Sequence, residues 1–340
     1  MRGRAVRVPR SRGEATRQAL RDRGILRTDL KVGHESDALL FPIKDEASAP
    51  DDLGEVVEAE LSLSSTRGPH DYRELLDWPA AELETLPRSF DVVGEIVLIR
   101  LPSELEARGP EIGAALLRFV PGARLAGQDR GVQGPERRRR VERLAGDGPW
   151  TTRHRENGLE LEVDLEGAYF SPRLAREHAL VASEVAAGDR VCDLCCGVGP
   201  FAVTIARDGR AHTIVAVDSN PVAVDRLRAT LARYPFGGRV EVVEARLERF
   251  VEAQNPFEKV VFNLPHEGIK YLPSVANLVS RAGRLFYYEV AEREARERRP
   301  ADLLEALGGA AEWRLVGART VHPYSPTSDL VAFTFERRAA

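Results

Sequence analysis

Apolar and polar side chains alternate strictly over Leu159–Leu165 (LELEVDL), which predicts a half-buried strand because successive strand side chains point to opposite faces. Continuous apolar runs predict buried strands elsewhere. Asp91–Leu101 (DVVGEIVLIRL) reads as one strand with a bulge at its single glycine, and Ala38–Ile43 as another. Leu61–Ser65 can form a further strand, whereas Asp45–Glu58, rich in acids and small residues, suits a loop. Ser11 with Glu14 three residues on has the form of a capping box, opening a helix whose apolar positions are Ala15, Leu20 and Ile25. Pro102–Glu104 begins a helix through Leu117, Ala123–Leu125 begins another strand, and the basic run Arg137–Arg143 follows.

From about Pro172 strands and helices alternate regularly. Strands are expected at Asp189–Leu194, Thr213–Asp218, Val240–Val243, Val260–Asn263 and Leu285–Glu289. One helix passes through Ile205 and another covers Pro221–Tyr234, while Leu330–Phe335 alternates like an antiparallel edge strand. Such an order builds an α/β, doubly wound, mostly parallel sheet. Three parts result: a small α+β module over 1–68, a middle α+β module over 69–165, and the α/β domain over 166–340.

Composition narrows the function. With 43% apolar and 30% charged residues among 340, the chain is globular rather than disordered. A net charge of −4 gives no global basic field, but residues 1–24 hold eight Arg against Glu14 and Asp22, and residues 136–143 hold five Arg against two Glu. Local patches of this kind can face phosphates. The only three cysteines, Cys192, Cys195 and Cys196, exclude a disulfide scaffold and lack the second pair of a zinc site. No apolar run spans a bilayer, and the Arg-rich N-terminus has no signal-type apolar segment. A reducing, cytoplasmic setting is expected, with no metal and no membrane partner.

Three marks carry chemistry. In Val191–Ala202 (VCDLCCGVGPFA) a strand passes through Asp193, and Gly197 and Gly199 let the backbone turn tightly toward a ligand. The second strand ends in Asp218 within VAVDSNP, where an acid can accept both hydroxyls of a ribose. Dinucleotide enzymes share that acid, but Pro200 removes a backbone N–H from the turn that would cradle a pyrophosphate, which favours a nucleoside without phosphates. Third, VFNLPH places Asn263 at a strand end, where its amide can meet an amine-bearing ring or a methyl sulfonium. In this order the marks point to an S-adenosylmethionine-dependent transferase.

The chain resembles the archaeal and eukaryotic tRNA (guanine37-N1)-methyltransferases over nearly its whole length. The segments that carry the resemblance are VPRSRGEATRQALRDRGIL, SFDVVGEIVLIRLP, HRENG at His154–Gly158, AYFSPRLAREH at Ala168–His178, VAVDSNP and NLPH. The resemblance implies a Rossmann-like class I methyltransferase sheet preceded by two small modules, with S-adenosylmethionine as cofactor and tRNA, met at its anticodon stem-loop and outer corner, as partner. It implies Glu177 as the base that takes the N1 proton, Arg137 (from the G-x-x-R pattern) on guanine O6, and Asn263 at the base or the methyl end. Tyr169 and Pro265 would position the nucleotide. Cofactor contacts fall on His178, Asp193, Cys195, Gly197, Gly199, Asp218 and Ser219. Where the family has a G-D-A-R-like stretch this chain has Val243–Arg246 (VEAR), so Glu244 with Ala245 would meet the adenine. His178 stands where an Arg is common.

Blander readings compete. Glu177 near a helix start can serve only the helix dipole, Arg137 is one of four consecutive arginines, His154 can be a hairpin residue, and the cysteines can be small buried side chains. Alternative functions are the wybutosine-pathway transfer of an aminocarboxypropyl group, against which Leu264–Pro265 argue, methylation of the tricyclic intermediate, or a degenerate RNA-binding fold. A monomer is expected.

Overall fold

The computed structural model describes residues 2–339 apart from 28, 36, 45–52, 63–68, 135–137 and 253–254, and apart from the side chains of Val132, Gln133 and Arg138. The chain packs as two compact units, Met1–Glu74 and Leu75–Ala340.

In the first unit β1 (Arg2–Pro9), helix α1 (Gly13–Asp22), β2 (Gly33–His34), β3 (Ala38–Pro42) and β4 (Glu55–Glu60) form an antiparallel sheet of order β2-β3-β1-β4. Val6, Val8 and Phe41 of the sheet meet Leu20 of α1 in its core. Three expectations need correction. The helix opens from a 3-10 turn over Arg10–Arg12, with Arg12 as its N-cap and no side-chain cap, so Ser11 lies in that turn instead. Residues Glu55–Glu58 are strand because they pair with Arg4–Arg7 of β1; the rest of the expected loop over 45–52 lies outside the described residues. Leu61 and Ser62 fall just past that strand, and Leu63–Ser65 also lie outside the described residues.

The second unit begins with α2 (Ala80–Thr85), β5 (Phe90–Val93), β6 (Ile96–Ile99), α3 (Gly109–Phe119), β7 (Leu125–Gln133) and β8 (Arg138–Gly146), with the strands in a four-stranded sheet of order β5-β6-β7-β8. The segment read as one bulged strand is thus a hairpin. Gly94 has φ +54° and a Cβ there would lie 2.3 Å from the Arg153 carbonyl, so the glycine reverses the chain rather than bulging it. A second hairpin, β9 (Thr151–Glu156) with β10 (Leu159–Asp164), carries the alternating LELEVD on its core side.

There follow α4 (Ala175–Ser183), β11 (Arg190–Leu194), α5 (Pro200–Asp208), β12 (Thr213–Asp218), α6 (Pro221–Leu231), β13 (Val240–Glu244), α7 (Leu247–Val251), β14 (Phe257–Phe262), α8 (Leu272–Ala276), β15 (Val279–Glu292), α9 (Arg299–Ala306), β16 (Trp313–Pro323) and β17 (Ser328–Arg337). They build one seven-stranded sheet of order β13-β12-β11-β14-β15-β17-β16. The first five strands run parallel and β17 is antiparallel to both its neighbours. The expected parallel α/β sheet is the one found, but Leu330–Phe335 is not its edge: β17 lies between β15 and β16, and β16 is the edge. One hydrophobic cluster joins Val93 and Leu98 of the small sheet, Leu159–Leu165 of the second hairpin, and Val191 and Ile214 of the large sheet.

Candidate active site

A cavity of about 730 Å³ opens at the C-terminal ends of β11, β12, β13 and β14. Open α/β sheets bind ligands at this edge, where the order of the strands reverses. The chain is brought round the cavity by a sharp turn after β11, in which Cys195, Gly197 and Gly199 all adopt positive φ (55°, 57° and 74°). At Gly199 a Cβ would lie 2.4 Å from Leu227, so this glycine also lets α5 pack close to α6. Gly199 itself does not line the cavity; Cys195, Gly197 and Pro200 do. Of the three cysteines, Cys192 and Cys196 are buried, and burial pushes both thiols well up, leaving them un-ionised packing groups.

Asp218 ends β12 and lines the cavity beside Ser219. One carboxylate oxygen accepts from the Gly197 N–H at 2.7 Å and the other from the Asn220 N–H at 2.9 Å. Two backbone donors therefore fix the group that is expected to receive a ribose. Asp218→Ala lowers adenosylmethionine affinity by roughly 1–3 kcal/mol, the loss for a charged hydrogen-bond site. Calorimetry checks this, with thermal unfolding as the control for fold.

Asp193, in β11, is fully buried and lines the cavity floor. Its Oδ2 accepts from the Ala202 N–H at 3.1 Å, while Oδ1 has no partner among the described residues. Burial, with a smaller contribution from Asp218, pushes its carboxyl up to about 8. His178, on α4, is 1% exposed and lines the same cavity. Its Nδ1 pairs with Glu156 at 2.7 Å and its Nε2 is buried without a partner among the described residues. Two orphaned polar atoms, an acid oxygen and a ring nitrogen, thus border a nucleoside-sized space. A zwitterionic amino-acid group joined to a nucleoside fits them, with Asp193 toward its ammonium, His178 toward its carboxylate and Asp218 toward its ribose. S-adenosylmethionine has that form.

Tyr169, Asn263, Pro265 and Ala245 also line the cavity, the first from the segment before α4 and the next two from the loop after β14. The Asn220 side chain caps α6 and donates to the Gly167 carbonyl at 2.8 Å, which ties the Tyr169 segment to the end of β12. Glu244 does not join them: its side chain is exposed at the end of β13. The acid that lines the cavity there is Glu248, whose carboxylate accepts from its own N–H and from Tyr271 Oη at 3.0 Å.

Glu177 is 4% exposed and does not line the cavity. Its carboxylate accepts from Arg319 Nε at 3.1 Å, from Arg319 Nη2, and from Tyr288 Oη at 3.0 Å. Arg137 lies outside the described residues. Gly134 of the same segment lines the cavity, and Arg139 is buried with its guanidinium 5.4 Å from the Tyr169 ring, donating to the Phe170 carbonyl at 2.8 Å. The cavity also takes His322 from the end of β16 and Tyr324 from the connection to β17, with Tyr324 Oη 3.1 Å from His266 Nε2. Sequence reasoning missed Glu156, Glu248, Tyr288, Arg319, His322 and Tyr324. Only Glu156 stands in a motif, HRENG, where the His154 ring is the more conspicuous group.

A seven-stranded sheet with a reversed final hairpin, carrying a nucleoside-sized cavity at the ends of its parallel strands, defines a class I methyltransferase. The TRM5/TYW2 methyltransferase domain matches residues 152–316, the TYW2 N-terminal domain residues 72–149 and the tRNA methyltransferase 5 N-terminal domain residues 5–51. The curated tRNA (guanine(37)-N(1))-methyltransferase Trm5b of Pyrococcus abyssi is 32% identical over 338 residues, covering 97% of this chain and 98% of that protein. The chain belongs to the Trm5 family of tRNA methyltransferases. The crystal structure of Trm5b from Pyrococcus abyssi superposes with a TM-score of 0.76 at 29% identity, covering 99% of both chains. The aTrm5 chain of a complex with tRNALeu does so at 0.74 and 26% identity, over 98% of this chain and 99% of that one. Among the described residues no helix is long and apolar enough to cross a membrane.

Proposed function

We propose that this protein transfers a methyl group from S-adenosylmethionine to N1 of guanosine 37 in tRNA, as its full-length relative is named for doing. The observation that carries the reading is that Tyr169 and Asn263–Pro265, from the segments most like the family, line one cavity with Asp193, Asp218 and His178. The cofactor supplies an electrophilic methyl on sulfur, and the chain's task is to align an in-line displacement. Guanine N1 carries a proton and is a poor nucleophile; Glu177 takes that proton. With the proton held on Glu177, N1 would form its bond to the methyl carbon as the S–C bond broke, the electron pair staying on sulfur. Arg137 stabilises the negative charge building on O6, and Tyr169, Asn263 and Pro265 hold the base. For Glu177 to act, its carboxylate must give up part of its Arg319 pair to the substrate. Adenine recognition is assigned to the Ala245–Glu248 segment, with Glu248 in place of Glu244.

The first unit, with Arg2, Arg4, Arg12, Arg17, Arg21 and Arg23 on one small module, suits contact with tRNA phosphates away from the anticodon loop. We assign the enzyme to the cytoplasm, as a monomer of three parts, 1–68, 69–165 and 166–340. The match of residues 72–149 to a TYW2 domain keeps aminocarboxypropyl transfer as a second reading. Incubation of tRNA with labelled cofactor, followed by digestion and mass spectrometry, decides between them. Methylated guanosine at position 37 is the expected product, and an aminocarboxypropyl adduct or no product overturns the proposal.

A further inference from the structure

Under the cavity lies a charged side chain that the proposed reaction does not use. Glu156 ends β9 and is 6% exposed. Its Oε1 meets His178 Nδ1 at 2.7 Å, and its Oε2, which has no hydrogen-bond partner, lies 3.8 Å from His154 Nε2. His154 Nδ1 accepts from the Gly94 N–H at 3.3 Å, so the hydrogen of that ring sits on Nε2 and points toward Glu156. A buried carboxylate is costly unless polar groups face it, and the two that face this one are histidine rings, of which His178 is within hydrogen-bond distance. Only His178 goes on to the cavity. Its ring is held edge-on by Phe201 with centroids 4.5 Å apart, and its Nε2 has no partner among the described residues.

We propose that Glu156 is a positioning residue for the cofactor: it accepts the Nδ1–H of His178, so that Nε2 can present an N–H to the carboxylate of the cofactor's methionine end. This rests on the adenosylmethionine reading above. In the complex the His178 ring lies between two carboxylates, that of Glu156 on its Nδ1 side and that of the ligand on its Nε2 side. A histidine ring has two faces it could turn to the ligand, and the buried acid on Nδ1 fixes which nitrogen meets the cavity. The two orphaned atoms of the cavity then divide the amino-acid group by sign, His178 Nε2 taking the carboxylate and Asp193 Oδ1 the ammonium.

The test compares two ligands that share a nucleoside thioether and differ in the amino-acid end. S-adenosylhomocysteine has that end and 5′-methylthioadenosine lacks it. By calorimetry, Glu156→Gln weakens S-adenosylhomocysteine by about tenfold or more, the worth of a charge-assisted hydrogen bond, and leaves 5′-methylthioadenosine within about twofold of wild type. Glu156→Asp, which keeps the charge, recovers part of the lost affinity and serves as the second variant if Glu156→Gln does not fold. Equal loss for both ligands, or for neither, overturns the proposal, since a packing role has no reason to single out the amino-acid end. If the wild-type protein binds neither ligand, the methyltransferase reading itself fails.

Discussion

Glu177→Gln lowers single-turnover methyl transfer by about 10²–10⁴-fold, the usual contribution of a positioned base, with cofactor affinity close to wild type. Gln keeps the size and the acceptor for Tyr288 Oη, but it cannot take the N1 proton. Raising the pH partly rescues the variant, because the guanine then ionises without help. Arg137→Ala also slows the reaction but shows no such rescue, since the role proposed for it is charge on O6 and not proton removal. The fold adds a second consequence. Glu177 is the buried acceptor of Arg319 and Tyr288, so Gln also removes an ion pair. Arg319 keeps 38% of its side chain exposed and can be resolvated, which limits the stability cost to about 1 kcal/mol. Denaturation and single-turnover rates across pH therefore separate the two roles. An unchanged rate with a lowered melting temperature leaves Glu177 a structural residue only.

Asp193→Asn has opposite effects on stability and on ligand binding. In the ligand-free fold burial holds the Asp193 carboxyl up at about 8, whereas an unfolded Asp ionises near 3.9. Below about pH 4 both states are protonated and the group costs nothing. As pH rises toward 8 the unfolded chain gives up a proton that the fold retains, so stability is lost across that window. Asn carries no such linkage. The variant gains about 2–4 kcal/mol over wild type at pH 7.5 and little at pH 4, read by denaturant unfolding at the two values. Its adenosylmethionine affinity falls about tenfold or more, because Oδ1 would accept the cofactor's ammonium as a carboxylate and Asn offers no charge. A variant no more stable than wild type at pH 7.5 would show that Asp193 is already ionised in the fold.

Much of the large sheet is legible in the order of residues. Thr213–Asp218 is strand to the residue, and Arg190–Leu194, Pro221–Leu231 and Val240–Glu244 depart little from expectation, because parallel strands buried on both faces read as apolar runs ending in turn residues. The three marks at Asp193, Asp218 and Asn263 are legible for the same reason: each lies at or near the end of a strand, and strand ends of a doubly wound sheet meet. Local pattern fails where a residue type has two uses. Gly94 serves a turn as readily as a bulge, and only the approach of the Arg153 carbonyl settles which. Likewise, Leu330–Phe335 reads like an edge because it alternates, but being an edge depends on neighbours, and Trp313–Pro323 occupies that place.

The sequence by itself determined the class of fold, the strand ends that border the cavity, and the family to which the chain belongs. Tertiary structure alone decided the polar partners. Glu177 meets Tyr288 and Arg319 across 111 and 142 residues of chain, and Glu156 meets His178 across 22, separations at which no periodicity or motif carries information. Such pairings arise because a buried charge must find a partner, and the partner is whichever side chain the packed sheet and helices bring within reach.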